Sequence, residues 1–309
     1  MNKKKSSNYL LIVLITMIVI PSIASVISQR NNICDTLAFR TSERIKEISS
    51  FKNKYKRSKE NKTSSENKIY SRNEIVPSFV SVVNPNHNYP IGLFLSGNES
   101  TKSCTASVIN TANGNIGLTA AHCLFDENEN EYNLSFLSFS PGYNNGSKGP
   151  LGDIPVVATA IPPTFLNNRF EYDYALMKFE FNDPNGGDAT LQDYTGALGW
   201  RFDIGNGEPT SVYGYPGLGN FEDCPNDYKH LCKWQGITDK LENFFYVIDN
   251  LIAGPGSSGG PFISQYDTET NLGYVYALVR GYSDIDNVSI GSIWDEIVFS
   301  DLLLNMTTE

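Results

Sequence analysis

The strongest restriction on the fold comes from residues 104–123, which read CTASVINTANGNIGLTAAHC. Asn113 and Gly114 favour the tight turn of a β-hairpin, with strand-forming residues on both sides. Similar short runs recur as YDYALMKFEF, PTSVYGYPG and GYVYALVRGY. Many short strands separated by turn residues predict β-barrels or a β-sandwich rather than alternating strands and helices.

The carboxyl-terminal region carries the one clear helix pattern, over about residues 292–304. Ser292 is expected to cap this helix, and Asp295 completes a capping box. The apolar residues are spaced as on one face of a helix, and they are Trp294, Ile297, Val298 and Leu302.

The amino terminus has the order of a secretory signal peptide. Lys3, Lys4 and Lys5 precede an apolar run from Leu10 to Ile20, and small residues follow. We expect residues 1–24 to be a signal peptide cleaved after Ala24, which predicts a secreted protein without stable membrane contact. The alternative is a retained membrane anchor, although Pro21 interrupts the apolar run before it reaches the length of a span.

Residues 25–76 form a basic segment with little apolar periodicity, as in FKNKYKRSKENKTSSENK. Of the 24 Lys and Arg residues in the chain, 15 precede residue 77, whereas 28 of the 34 Asp and Glu residues follow it. We interpret this segment as a propeptide or a disordered arm that docks on an acidic body. The acidic body is expected to repel nucleic acid.

Six N-x-S/T sequons agree with a secreted and glycosylated protein. They lie at Asn61, Asn98, Asn133, Asn145, Asn287 and Asn305.

The chain has five cysteines, of which Cys34 lies in the basic segment. Sequence proximity favours the disulfides Cys104–Cys123 and Cys224–Cys232 in an oxidising compartment. The alternative is a metal site made by Cys224, His230 and Cys232, but the usual second cysteine pair is missing.

The stretch GPGSSGGP contains two adjacent serines and fits the pattern G-x-S-x-G around Ser258. In an α/β-hydrolase this pattern is followed by a helix and later by a histidine. Here glycines and a proline follow, and His87, His122 and His230 all come earlier. The α/β-hydrolase interpretation therefore fails.

The three motifs TAAHC, DYAL and GSSGGP occur in that order, and they contain His122, Asp173 and Ser258. From about Ile91 to Leu304 the chain resembles the trypsin-like, chymotrypsin-fold serine peptidases. The resemblance implies an all-β fold of two six-stranded antiparallel barrels and a carboxyl-terminal helix. Barrel one would span about 77–188 and barrel two about 189–290, within a peptidase domain of residues 77–309. The pair Cys104–Cys123 matches a disulfide of that family.

The resemblance also implies roles for these residues. Ser258 would be the nucleophile, His122 its general base, and Asp173 the residue that orients the imidazole. The backbone N–H groups of Gly256 and Ser258 would form the oxyanion hole. Ser257 would be a loop residue.

The chain departs from trypsin at Ser257, where animal enzymes carry an aspartate that pairs with the new amino terminus. In this respect it is similar to the glutamyl-endopeptidase-like (V8-like) branch, so activation must differ. Glutamyl-specific relatives use a histidine on the strand after the serine, and YVYALVRGY contains none.

Substrate specificity is the least constrained property. An ungapped alignment puts Ile252 at the base of the S1 pocket, which favours an apolar or small P1 residue. Val279, Arg280 and Gly281 are expected to pair with the substrate backbone, with Arg280 either a charged contact or a rim residue.

The sequence thus predicts a secreted, monomeric serine endopeptidase that acts on polypeptides and uses neither a cofactor nor a metal. The alternatives are a catalytically silent binding protein on the same fold and an esterase with the same triad.

Overall fold

The computed structural model describes residues 75–84, 89–97, 102–167, 169, 172–241 and 245–307. The expected signal peptide, Cys34 and the basic segment up to residue 74 lie outside the described residues. Within the described ranges, no helix has the length and apolar character that a membrane crossing requires. The described chain begins with a two-residue strand, β1 (Ile75–Val76).

Barrel one is a closed antiparallel barrel of six strands. They are β2 (Ile91–Ser96), β3 (Lys102–Val108), β4 (Ile116–Thr119), β5 (Leu137–Pro141), β6 (Ile154–Ala160) and β7 (Ala175–Phe179). Their order around the barrel is β2-β3-β4-β7-β6-β5, and β5 pairs back with β2. Strands β3 and β4 form the hairpin expected from residues 104–123, with Ser107 opposite Leu118. Two short 3₁₀ turns, Ala121–Leu124 and Leu134–Phe136, follow β4.

Helix α1 (Leu191–Thr195) and strand β8 (Gly199–Arg201) lead into barrel two. Its six strands are β9 (Glu208–Gly214), β10 (Cys232–Leu241), β11 (Phe245–Asp249), β12 (Pro261–Asp267), β13 (Leu272–Ser283) and β14 (Val288–Ile293). The order is β13-β12-β9-β10-β11-β14, and pairing of β13 with β14 closes the barrel. The expected fold of two six-stranded barrels is confirmed.

The amino-terminal edge of the folded body differs from the expected boundary at residue 77. Ile75 and Val76 pair with Arg201 and Trp200 of β8, so both residues are part of the sheet. These β-branched apolar residues are good strand formers, unlike the charged residues before them. The body therefore begins at least two residues earlier than predicted.

Helix α2 spans Glu296–Thr307 and begins later than the sequence pattern indicated. Ser292 cannot cap it, because Ser292 lies in β14 opposite Phe245. Asp295 caps the helix instead, and its Oδ1 accepts the N–H groups of Ile297 and Val298 at 3.0 Å. The predicted apolar stripe was also wrong in detail, since Ile297 is 65% exposed, whereas Phe299 and Met306 are the buried residues of α2.

An apolar core between the barrels fixes their contact. Tyr174 and Leu176 approach it from barrel one, and Leu278 approaches it from barrel two. Trp294 and Phe299 pack against the same core, with their rings stacked at a centroid distance of 4.9 Å. The two closed barrels therefore share an apolar, close-packed interface.

Both predicted disulfides are present. Cys104 and Cys123 have their Cα atoms 6.4 Å apart, and Cys224 and Cys232 have theirs 5.8 Å apart. Because both thiols of the second pair are consumed, the metal interpretation of that loop was wrong. The His230 ring contacts Asp227 instead, with Nδ1 2.9 Å from Oδ1.

Candidate active site

His122 lies on the 3₁₀ turn that follows β4, and its neighbours hold it in place. Cys123 joins this turn to β3 through the disulfide with Cys104, and both cysteines are fully buried. The ammonium group of Lys102 donates a hydrogen bond to the His122 carbonyl at 2.8 Å. The imidazole is left partly exposed, with 29% of the side chain accessible.

Asp173 lies just before β7, and its side chain faces His122 directly. Tyr174, the next residue, is fully buried in the core between the barrels and thereby fixes the aspartate backbone. One carboxylate oxygen of Asp173 accepts the His122 backbone N–H at 2.8 Å. The other lies 2.7 Å from the ring Nδ1. Both oxygens therefore orient the same histidine.

The charged surroundings keep Asp173 ionised in spite of its burial. Burial alone would raise its pKa, but the charge and hydrogen bonds of His122, together with the Arg280 guanidinium, lower the pKa below 3.8. Nε of Arg280 lies 3.9 Å from Oδ2 of Asp173. A buried carboxylate that stays ionised can stabilise positive charge that forms on the imidazole.

Lys102 helps to hold the backbone of His122, and the sequence interpretation missed it. Burial lowers the pKa of its ammonium group, while the charges of Asp173 and Glu127 raise it in opposition. The signal that was available is a lone lysine at the start of a strand, two residues before a disulfide cysteine. Its role could not be deduced without the hydrogen bond to the backbone of His122.

The two adjacent serines occupy different environments. Ser257 is fully buried, and its hydroxyl donates to the Ala253 carbonyl at 2.7 Å. Ser258 is partly exposed, on the loop that leads into β12. The environment therefore favours Ser258 over Ser257 as the reactive hydroxyl.

Ser258 lies beside the histidine turn. Its carbonyl oxygen is 3.9 Å from Sγ of Cys123, the residue that follows His122. Among the hydrogen bonds of the described residues, none joins the Ser258 hydroxyl to the imidazole. Hydrogen bonds between a serine and its general base often tighten only in the reacting complex.

Two peptide planes of the serine loop, residues 254–260, are fixed by hydrogen bonds on their carbonyl sides. The Pro255 carbonyl accepts from the Gly217 N–H at 2.7 Å, and the Ser257 carbonyl accepts from the Gly260 N–H at 2.8 Å. In a trans peptide the carbonyl and the following N–H point in opposite directions. The N–H groups of Gly256 and Ser258 are therefore turned away from these partners, and within the described residues neither makes a hydrogen bond.

Two of the expected substrate-binding residues, Val279 and Gly281, already pair with other parts of the chain. Val279 is not available to pair with a substrate, because its N–H donates to the Gly260 carbonyl at 2.7 Å and its carbonyl accepts from Gly259 at 2.8 Å. That prediction was wrong: Val279 is fully buried and holds the serine loop. Gly281 pairs with Ile290 across a bulge at Arg280.

Arg280 lies beside Asp173, whereas Ile252 contacts Asn220. The Arg280 side chain is only 14% exposed and faces Asp173, which differs from a position on the rim. Ile252 is half-buried, and its backbone N–H donates to the Asn220 side chain at 2.6 Å. Its place at the base of an S1 pocket stays a prediction.

A group of metal-ligating residue types also lies here. Cys104, His122 and Cys123 have their ligand atoms within 4.8 Å of one another. The two sulfur atoms form a disulfide, so neither is a thiolate that could bind a metal. The group thus fits a structural bridge beside His122.

Two closed antiparallel barrels with a carboxyl-terminal helix define the chymotrypsin-like fold of serine proteases. The chain is similar to the solved structure of a thermostable serine protease, AL20, from an extremophilic microorganism. The two are 26% identical with a TM-score of 0.58, over 72% of this chain and 99% of the other. No protein-family model and no curated protein matches the chain.

Two further solved structures show the same fold at lower identity. Protease Anisep from Arthrobacter nicotinovorans is 24% identical, with a TM-score of 0.58 over 72% of this chain and 98% of the other. A Glu endopeptidase in complex with MPD is 17% identical, with a TM-score of 0.51 over 74% of this chain and 95% of the other. The fold is therefore that of a serine protease.

Proposed function

We propose that the protein is a secreted serine endopeptidase that hydrolyses peptide bonds through an acyl-enzyme on Ser258. The observation that carries this proposal is the contact of both Asp173 carboxylate oxygens with His122, on a serine protease fold. The two disulfides are typical of an oxidising compartment, which supports secretion.

In this mechanism His122 accepts the proton of the Ser258 hydroxyl through Nε2 as the oxygen attacks the substrate carbonyl. Asp173 holds the proton on Nδ1 and stabilises the imidazolium that forms. His122 then gives the proton to the leaving amine, and the peptide bond breaks. A water molecule, deprotonated by His122, then attacks the ester carbonyl of the acyl-enzyme. The ester bond breaks, His122 returns the proton to the Ser258 oxygen, and the acid product leaves.

Negative charge develops on the substrate oxygen at each attack. The N–H groups of Gly256 and Ser258 are proposed to bind it, and their unused hydrogen-bonding capacity supports that role. Loss of one such donor typically costs about 3–4 kcal/mol of transition-state stabilisation.

The P1 residue is proposed to be apolar or small, since Ile252 would form the base of its pocket. Arg280 is poorly suited to bind an acidic P1 side chain, because its charge already faces the Asp173 carboxylate. Arg280 and Gly281 remain proposed contacts of the substrate backbone.

Maturation is proposed to remove the signal peptide and the basic segment before the folded body. Because Ile75 and Val76 are paired in the sheet, we expect cleavage to precede Ile75. Amino-terminal sequencing of the secreted form tests this. Fully active enzyme that retains the segment from Arg30 to Arg72 would contradict the propeptide assignment.

A fluorophosphonate probe tests the enzyme assignment. The mature wild-type protein should be labelled, the Ser258→Ala variant should not, and the control Ser257→Ala should keep its labelling. Absence of labelling in folded wild-type protein would favour the silent binding protein.

Digestion of a peptide library, with matched ester substrates, then distinguishes an endopeptidase from an esterase. Internal cleavage with a consistent P1 residue is expected. Turnover of esters with no peptide cleavage would contradict the endopeptidase assignment.

A further inference from the structure

Barrel one contacts the serine loop of barrel two through Thr105, which lies in β3 next to the disulfide cysteine Cys104. The Thr105 backbone N–H donates to the Ser258 carbonyl at 2.8 Å. Its hydroxyl donates to the Gly256 carbonyl at 2.9 Å. One residue of the first barrel therefore binds the carbonyl groups of both proposed oxyanion residues.

With these two hydrogen bonds, all four carbonyl groups of residues 255–258 have a donor. The carbonyls of Pro255 and Ser257 are bound by Gly217 and Gly260, which belong to barrel two. Those of Gly256 and Ser258 are bound by Thr105. Four successive peptide planes are thus held, alternately from barrel two and from barrel one.

Such fixation matters because the loop is rich in glycine. Gly256 has φ +92° and Gly259 has φ +82°, a region that glycine enters without steric cost. The same freedom would let the peptide planes rotate and turn the oxyanion donors away. Hydrogen bonds on the carbonyl side remove that freedom.

Thr105 is itself held tightly. It is fully buried, and its carbonyl accepts a hydrogen bond from the Thr119 hydroxyl at 2.9 Å. Its own hydroxyl accepts from the Tyr215 N–H at 3.1 Å while it donates to Gly256. Because both roles of the hydroxyl are used, its hydrogen has a single favourable direction.

We infer that Thr105 is a positioning residue that sets the oxyanion hole from the first barrel. This inference rests on the proposed function and adds a residue to it. Trypsin-like animal enzymes anchor the loop through an aspartate at the position of Ser257, which here carries no charge. In this chain neutral hydrogen bonds anchor the serine loop instead, and two of them are donated by Thr105.

The test compares Thr105→Val with Thr105→Ser in the mature enzyme. Valine keeps the shape of the side chain and loses the hydroxyl, whereas serine keeps the hydroxyl. We expect Thr105→Val to lower kcat by about 10- to 100-fold with little change in KM. This decrease is smaller than the one expected from removal of an oxyanion-hole N–H donor, because the donors would be misplaced and not lost. Thr105→Ser should retain activity close to wild type.

Binding of a peptide aldehyde separates positioning from a general loss of structure. The aldehyde forms a tetrahedral adduct whose oxyanion needs the hole, whereas the amine-side product peptide, which lacks the acyl group, does not. Thr105→Val should weaken the aldehyde in parallel with kcat and leave product binding unchanged. Thermal unfolding of each variant verifies that it is folded, and Thr105→Ala replaces the valine variant if that one does not fold.

Each result decides between the two proposals. Folded Thr105→Val with wild-type kcat and aldehyde affinity would overturn the role of Thr105 and leave the proposed function intact. Equal losses in the serine and valine variants would also overturn it, because the hydroxyl would then be irrelevant. Wild-type enzyme that neither cleaves peptides nor reacts with the fluorophosphonate would overturn the proposed function itself.

Discussion

Asp173 binds His122 twice, with Oδ1 2.8 Å from the backbone nitrogen and Oδ2 2.7 Å from the ring Nδ1. The backbone contact sets the position of the turn, and the ring contact sets the plane and tautomer of the imidazole. The aspartate therefore fixes both where the imidazole lies and which of its nitrogens carries the proton in the neutral ring.

Replacement of Asp173 by asparagine should reduce kcat by about 10⁴-fold, because an amide donor toward Nδ1 favours the tautomer that cannot accept the serine proton. Steady-state kinetics on a peptide substrate measure this. Asp153→Asn is the matched control, since Asp153 only pairs with Lys148 on the surface and should not affect kcat. A variant Asp173→Asn with wild-type kcat would contradict the proposed role.

Removal of the Arg280 charge should raise the pKa of Asp173, because that charge helps to hold it below 3.8. A depressed carboxyl pKa contributes stability above the unfolded value, and that contribution is lost as pH falls through the folded value. We therefore expect wild type to exceed Arg280→Gln in unfolding free energy at neutral pH, with the difference shrinking below about pH 4.

Urea unfolding across this pH range measures the difference, in a Ser258→Ala background that prevents self-cleavage. Arg280→Lys, which keeps a charge, should behave more like wild type. A difference that does not change with pH would show that Arg280 acts through packing alone.

Substitution of Gly256 by alanine should disrupt the serine loop and with it the proposed oxyanion hole. A Cβ there would lie 2.3 Å from the Tyr215 carbonyl oxygen, in a backbone with φ +92°. The loop must then move, and we expect kcat to fall by at least about 10²-fold. Gly186→Ala is the control, since Gly186 also has positive φ but no neighbour within 4 Å.

The control should lose only about 1–2 kcal/mol of stability from its backbone conformation, with unchanged kcat. If Gly256→Ala and Gly186→Ala lowered kcat and stability equally, the loss of activity would be due to backbone strain and not to the serine loop.

The sequence was sufficient for the features that depend on local pattern. The Asn113-Gly114 turn placed the hairpin of barrel one, and cysteine spacing identified both disulfides. The two-barrel fold came from the resemblance to the trypsin-like serine peptidases that the three ordered motifs carry. Asp173 and His122, 51 residues apart, were expected in contact for the same reason.

What the sequence could not predict depends on contacts between distant segments. Val279 forms its hydrogen bonds with Gly259 and Gly260, which no periodicity along β13 reveals. The start of α2 was misplaced because Ser292 is equally suited to a cap and to a strand, and pairing with Phe245 decided for the strand. Lys102 and Thr105 look like ordinary strand residues until the fold brings them to the site.

Ser257 offers a last test of how the loop is anchored. Introduction of the trypsin-like aspartate should not create an activatable enzyme, because the Ser257 hydroxyl donates to the Ala253 carbonyl in a fully buried site. An ionised carboxylate at this position cannot donate a hydrogen bond, and its negative oxygens would face the carbonyl oxygen of Ala253. We expect Ser257→Asp to lose about 3–5 kcal/mol of stability, the usual cost of an unpaired buried charge.

Urea unfolding in the Ser258→Ala background measures this loss, and Ser257→Ala supplies the control. Alanine removes one hydrogen bond without adding charge, so its loss should be only about 1 kcal/mol. Because an aspartate would be neutralised by protonation, Ser257→Asp should recover part of its stability, relative to alanine, as pH falls. An aspartate variant as stable as wild type at neutral pH would mean that a cation reaches this site, and that the loop is anchored by charge after all.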